Sequence, residues 1–375
     1  MKIQFICHNS QLYGANRILL PLLDNLQQKG HSIFVLLSSK GGMAEELEKR
    51  NIHYRVIPYY SPFLYIKKTI KFIAYPLLLL LNLVTFPIIL LQINKFNPDI
   101  IYSNTSAENL GYFVAKFLKK KHITHVHEFM SKNHGAIFIG GNKNKRKFLD
   151  KSTATIFVTK SVAEDIMGNN FNPNKHIIIY NGLPQPIVKP SRERTPIPLN
   201  YGIVGILSPG KRQDVAIKYF KKIIETYPSS KLHIFGDKKG SYKRYLFHLV
   251  NKLGLESNVI FHGFVQDTEK IYEEIDILLV FSKLEGFGLV TAEAMHRGIP
   301  VIGYDDAGTS ELIEDNQSGY LFTDEDSFRQ AIKSLHSAEN YERIKENAYQ
   351  RAISLFSEKI YCLSIESFLK EIIKE

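Results

Sequence analysis

Two carboxylates, Glu285 and Glu293, bracket a seven-residue stretch that contains Gly286 and Gly288. Carboxylates accept hydrogen bonds from hydroxyls, and a glycine turn lets main-chain N–H groups approach a ligand closely. The apolar run from Asp276 to Phe281 reads as a strand. After Gly288 a short helix is expected, closed by Gly298 and Pro300, and then a second strand from Val301 to Tyr304. Strand, tight loop, helix and strand make a βαβ unit, whose loop lies at the carboxyl end of a parallel strand, where ligands of open α/β sheets bind. The helix would point its positive end at the same loop. One place then offers amides to an anion and a carboxylate on either side to hydroxyls. Those are the groups of a sugar nucleotide.

Other segments carry weaker chemical signals. Lys211 and Arg212 are adjacent cations where a helix should begin, after Ser208-Pro209-Gly210. Small residues and cations at a helix start suggest a phosphate site. Near the beginning of the chain, a strand over 3–8 is followed by a turn with Gly14 and by Arg17 at a helix start. That turn lacks both the G-x-G-x-x-G and the P-loop patterns, so it supports neither a dinucleotide nor an ATP site. Alternation along the strand 123–127 puts His125 and His127 on one face. The pair has no third ligand at metal-binding spacing nearby, so no metal site is expected. Asp324, Glu325 and Asp326 precede a helix, where capping explains them better than metal binding.

The chain has 375 residues, enough for two domains, and is 44% hydrophobic, enough for a sizeable core. Cys7 and Cys362 are far apart and suggest no disulfide framework, which fits a reducing compartment. The first residues read as a strand rather than a signal peptide. A net charge of +11 favours anionic partners, but no nucleic-acid-binding signature is visible.

The least ordinary segment is apolar, within 63–93. From Phe72 to Ile93 it holds 22 mostly apolar residues, with Lys67, Lys68 and Lys71 just upstream. This length could span a bilayer. Strands on both sides of it belong to one sheet, however, and a single crossing would separate them. The reading is therefore a helix or broken helical hairpin, lying on an anionic membrane surface or buried in the domain. Further along, strands alternate with helices up to about residue 180. A helix is expected over 106–119, capped by Ser103, Asn104 and Thr105, and a solvated, mobile loop over 130–151. Prolines mark 184–199 as a linker, and strand–helix alternation then resumes.

The segment EGFGLVTAEAM, followed by GIPVIGYDDAGTSELIEDNQSGYLF, resembles the donor site of retaining glycosyltransferases of the GT-B fold, family four. Phe261-His262-Gly263 and the order of strands agree. The resemblance implies an α/β protein with two Rossmann-like domains facing across a cleft. They would be an acceptor-binding domain over 1–183 and a nucleotide-sugar-binding domain over 200–355, with a last helix over 356–375 returning to the first. Glu285 would bind hydroxyls of the transferred sugar. Gly286, Phe287, Gly288, Leu289 and Val290 would meet sugar and phosphate, and Glu293 the ribose. Gly14 would let its loop approach donor and acceptor, and His127 would lie near the reacting carbon. Lys211 matches the family's phosphate-binding lysine. The family's arginine is Ile206 here, and Arg212 is expected to supply the missing charge.

The function implied is transfer of a sugar, with retention, from a UDP- or GDP-linked donor to a glycan or lipid-linked saccharide. The work would be done at the cytoplasmic face of the membrane, in bacterial surface polysaccharide assembly, and without a metal or other cofactor. A sugar-nucleotide epimerase of the same fold and a non-catalytic partner protein are the alternatives.

Overall fold

The computed structural model describes residues 1–61, 63–65, 69–129, 136–138, 141–184 and 199–374. Most of the expected linker, part of the 130–151 segment, and Lys67 and Lys68 lie outside them. Contacts divide the chain into two compact units, Met1–Gly182 with Glu358–Glu375, and Leu183–Ser357.

The first unit is built on seven parallel strands. They are β1 (Lys2–Cys7), β2 (Ser32–Leu37), β3 (His53–Val56), β5 (Ile100–Ser103), β6 (Lys121–Val126), β8 (Ala154–Phe157) and β9 (His176–Ile178). Their order is β3-β2-β1-β5-β6-β8-β9, so chain direction across the sheet reverses between β1 and β5. A small antiparallel pair, β4 (Phe63–Tyr65) and β7 (Ala136–Phe138), stands apart from it. Central strands are apolar on both faces because helices cover both. Helix α1 (Gly14–Gln28) buries Ile18, Leu19, Leu22, Leu23 and Leu26, one stripe at helical spacing. Helix α2 (Gly42–Lys49) follows β2.

Helix α3 (Thr69–Phe96) is one continuous helix rather than a broken hairpin. Among the described residues no helix is long and apolar enough to cross a membrane. Ile89 and Ile93 of α3 are fully buried in a cluster with Ile6, Leu36, Ile101 and Val114.

Two local expectations fail in this unit. Helix α4 runs over Leu110–Leu118 and starts four residues later than expected. Thr105 Oγ1 accepts from Ala107 N at 2.9 Å and the Glu108 carboxylate from Gly111 N at 3.0 Å, so polar side chains hold a turn first. The basic segment read as a loop contains helix α5 (Gly141–Lys151), which buries Leu149 and Lys145 one turn apart. Helix α6 (Lys160–Met167) is capped by Thr159, whose side chain accepts from Val162 N.

The second unit repeats the pattern with β10 (Asn200–Val204), β11 (Lys231–Phe235), β12 (Val259–Gly263), β13 (Ile277–Val280), β14 (Val301–Tyr304) and β15 (Tyr320–Phe322). The order is β12-β11-β10-β13-β14-β15, all parallel, with the reversal between β10 and β13. Helices α7 (Gln213–Thr226), α8 (Ser241–Leu253), α9 (Thr268–Glu273), α10 (Leu289–His296), α11 (Ala307–Leu312), α12 (Glu325–Leu335) and α13 (Ala338–Leu355) connect or cover the strands. Asp324 caps α12 through Ser327 in a reciprocal capping box.

The last helix, α14 (Glu358–Lys374), packs on α1 in the first unit. It buries Tyr361, Ile365, Leu369 and Ile372. Its Glu366 is nearly fully buried, ion-paired with Lys29 and with Lys370 at 2.7 Å, and hydrogen-bonded with His31 at 3.3 Å. Burial opposes ionisation of Glu366, but hydrogen bonds from Lys29, Lys370 and His31 outweigh it and hold the carboxyl at about 2. A depressed carboxyl stabilises the fold above its unfolded pKa and loses that contribution as pH falls through the folded value. Wild-type stability should therefore drop between about pH 4.5 and 2. Glu366→Gln should lose about 1–3 kcal/mol at neutral pH and show a shallower acid slope in urea titrations; a variant with unchanged stability would remove this anchor.

Candidate active site at the sheet reversals

Ligands of open parallel sheets bind beyond the carboxyl ends of the strands where chain direction reverses. In the second unit that place is the mouth between β10 and β13. The loop after β10 carries Lys211 and the loop after β13 carries Glu285. The Lys211 ammonium and the Glu285 carboxylate form an ion pair, and the Ser282 hydroxyl donates to the same carboxylate oxygen.

The loop after β10 is shaped for this. Gly205 has φ 148°, and the Lys211 stem lies over it, 3.5 Å from where a Cβ would stand. Gln213, fully buried, braces the loop by donating from Nε2 to Ile206 O at 3.0 Å. The Ile206 side chain is exposed and brings no charge. Arg212 takes φ 53°. Its guanidinium lies 4.8 Å from the Tyr304 ring centre, and Nη1 donates to Phe281 O at 3.4 Å. Lys283 reaches the same ring, at 4.9 Å.

The glycine-flanked loop leads into α10, whose positive end faces it. Gly288 has φ 95° and precedes the helix, but the other left-handed residue is Leu284, φ 57°, and not Gly286. Leu284 N donates to Asp306 Oδ2 at 3.0 Å, and Gly308 N to Glu285 O at 3.0 Å. A Cβ on Gly308 would stand 2.7 Å from Glu285 O and 2.8 Å from Phe287 O. The loop therefore rests directly on the start of α11. The Phe287 ring is buried edge-on against Phe356, 5.7 Å between centres, so this residue lines the loop with its main chain. Leu289 and Val290 open α10, both at its first turn. Glu293, one turn on, is 9% exposed and accepts from the Tyr272 hydroxyl at 2.8 Å. Arg297 stacks on Tyr272, 4.6 Å to its centre.

In the first unit the reversal lies between β1 and β5. Gly14 opens α1 after the loop that follows β1. Asn16 ties that loop down, donating to Gln11 O at 2.8 Å and Asn9 O at 3.1 Å. His127 follows β6, is 8% exposed and lies against His125, 4.0 Å between ring centres. Neither ring nitrogen of His127 has a hydrogen-bond partner among the described residues. Burial pulls its pKa down to about 4; the Glu128 carboxylate opposes the shift and His8 adds to it. The imidazole is neutral at physiological pH. No group of three His, Cys, Asp or Glu among the described residues could hold a metal ion.

The profile of the glycosyl transferases group 1 matches residues 193–351, and that of glycosyltransferase family 4 matches residues 13–184. The chain belongs to glycosyltransferase family four. A Staphylococcus aureus poly(ribitol-phosphate) alpha-N-acetylglucosaminyltransferase is 33% identical over 142 residues, 37% of this chain and 28% of that protein. An N-acetyl-alpha-D-glucosaminyl L-malate synthase from Bacillus anthracis is 31% identical over 202 residues, 50% of this chain and 52% of that one. The chain thus spans about half or less of these relatives' lengths. The crystal structure of Anabaena HepE in complex with UDP superposes with a TM-score of 0.81 at 21% identity, covering 99% of this chain and all of that one. The two parallel-sheet units are those of the GT-B fold.

For this family-four chain the structure brings together Lys211, Glu285, Gly286, Phe287 and Gly288 in the second unit, with Glu293 one helical turn beyond. Arg212 lies beside this group, against Tyr304 and the carbonyl of Phe281. Sequence reasoning missed Ser282, Tyr272, Asp306 and Gly308. Gly308 lies within the segment that follows the acidic motif; its signal was a glycine directly after an Asp-Asp-Ala turn. Gly308→Ala should displace the 285–287 loop, weakening nucleotide binding in calorimetry while far-UV circular dichroism stays unchanged. Undiminished binding would mean that the loop tolerates the methyl group.

Proposed function

We propose that this enzyme transfers a hexosyl or N-acetylhexosaminyl group from a nucleoside diphosphate donor to a hydroxyl of a glycan or lipid-linked saccharide, with retention of configuration. The observation that carries this reading is the Lys211–Glu285 pair at the reversal between β10 and β13, facing the start of α10. UDP in the HepE crystal supports a uridine nucleotide. The names of the relatives support a place in bacterial surface polymer assembly. The proposed place of work is the anionic cytoplasmic face of the membrane.

The chemistry is a problem of charge. As the bond between the anomeric carbon and the phosphate oxygen breaks, the sugar becomes cationic and the diphosphate gains negative charge. Lys211, the main-chain N–H groups of 286–289 and the positive end of α10 stabilise the leaving group. Glu285 holds sugar hydroxyls while keeping Lys211 in place, and Glu293 holds the ribose. Arg212, engaged with Tyr304 and Phe281, supports the shape of the phosphate loop. Gly14 lets the loop after β1 come close to donor and acceptor. The acceptor oxygen attacks from the face the diphosphate leaves. Its proton passes to a departing phosphate oxygen, so no covalent enzyme intermediate forms. His127, neutral and without a hydrogen-bond partner for either ring nitrogen among the described residues, accepts a hydrogen bond from the sugar, or donates one to it, beside the reacting carbon.

Mass spectrometry of products from a panel of nucleotide sugars tests the reading. Lys211→Ala should lower kcat by about 10²–10³. Glu285→Ala should abolish transfer and remain folded; a fully active variant would refute its role. Conversion of donor in the absence of acceptor would identify an epimerase instead, and an inverted product would exclude the same-face route.

Because the imidazole of His127 protonates only below about pH 4, it should contribute no inflection to kcat/KM between about pH 5 and 8. An inflection near about 6.5 that disappears in His127→Ala would overturn that role.

A further inference from the structure

From residue 80 onward helix α3 has two apolar faces. One packs on the core of the first unit through Ile89 and Ile93. The other faces solvent. Between residues 80 and 91 every exposed position is apolar: Leu80, Leu81, Leu83, Val84, Pro87, Ile88 and Leu91. Leu83 is 70% exposed and Leu91 69%. A surface helix normally carries polar residues opposite its buried stripe, and a helix apolar all round belongs in a core or in lipid.

The surface continues onto α4. Phe113 and Phe117 are exposed one turn apart, and the Phe117 ring meets Phe86 of α3 at 5.8 Å. Between α3, α4 and α5 lies a groove of about 460 Å³, lined by Leu83, Phe86, Phe113, Phe117, Phe138 and Phe148. Phe148 belongs to α5 and packs edge-on against Phe113, 5.5 Å between centres.

Charge completes the picture. Neither α3 nor α4 contains a carboxylate. Lys143, Lys147 and Lys151 are exposed on α5 at four-residue intervals, so they form one stripe on the helix that supplies Phe148. Lys95 near the end of α3, and Lys116 and Lys119 at the end of α4, are exposed as well. The single carboxylate of α5, Asp150, faces His176 at 3.7 Å. Apolar area bordered by exposed lysines is the composition of a surface that enters the headgroup region of an anionic bilayer. A patch of this kind is otherwise uncommon on a soluble monomer.

We propose that the outer faces of α3 and α4 dock on a bilayer of anionic phospholipid. The exposed leucines enter the acyl region, the α5 lysines meet the headgroups, and the groove takes one acyl chain of a bilayer lipid. This deepens the proposed function by naming the surface that brings the enzyme to a membrane-held acceptor. It does not depend on the donor site, so the two readings fail separately.

The chain contains no tryptophan, so Phe117→Trp provides a sole indole beside the groove, excited selectively over the tyrosines. The full chain should float with vesicles rich in phosphatidylglycerol and much less with phosphatidylcholine alone. Phosphatidylglycerol with brominated acyl chains should quench the fluorescence of the introduced indole. Leu83→Asp with Leu91→Asp alters exposed positions only; it should reduce partitioning at least about tenfold and leave UDP binding in solution unchanged. Lys143→Glu with Lys147→Glu and Lys151→Glu should reduce binding to the anionic vesicles and flatten its salt dependence. Vesicle binding equal to wild type in the Asp variant, or no binding by wild type, would overturn the proposal. So would a lipid-free dimer that the Asp variant converts to monomer in light scattering, since the face would then be covered by a second copy.

Discussion

A lysine and a glutamate, 74 residues apart in the chain, meet where the second sheet reverses direction. Much of this unit follows from that meeting. Each side chain alone would be poorly placed: a long ammonium stem loses rotamer freedom when fixed, and a partly buried carboxylate loses solvation. Together they hold each other aligned. The pair is 29% and 16% exposed, so solvent screens it only in part. The surrounding architecture keeps the two loops in register. Gly205 admits the lysine stem, Gln213 braces one loop, and Asp306 and Gly308 seat the other. A preset arrangement of this kind needs little reorganisation when negative charge develops, which is how electrostatic catalysis gains its leverage.

The fold was legible where the signals are local. Alternating strands and helices and the glycines after β13 each leave a mark within a few residues. Gly288 has the left-handed backbone expected of it, whereas Leu284 takes the second such position because Asp306 fixes its amide from another loop. Helix α4 starts late because Thr105 and Glu108 compete for backbone groups, a contest that periodicity does not register. The basic stretch before Phe148 reads as solvated loop from composition alone; burial of Leu149 and Lys145 makes it a helix.

The candidate site was legible to a similar depth. Glu285 and Lys211 could each be placed at a strand end, but their pairing is a tertiary fact. Arg212 sits beside Lys211 in sequence, yet a left-handed backbone sends it to Tyr304. Ser282, Tyr272 and Gly308 act by supporting others, and residues in that role have no spacing of their own to reveal them. The apolar run of α3 was conspicuous in the sequence. Its division into a face that packs and a face that does not emerges only when the sheet is present to choose between them.

Helix α14 brings Glu366 to Lys29 across 337 positions of sequence, with the whole second unit in between. On the ribosome, the first sheet is complete long before its last covering helix is made. Until synthesis reaches residue 374, the bed for Tyr361, Ile365 and Leu369 on α1 and the sheet stands open to water, and Lys29 waits without this carboxylate. The nascent protein therefore passes through a stage in which a finished sheet exposes an oily flank. That stage is where chaperones would be expected to act on it, and where slow translation of the second half would carry the greatest risk of aggregation.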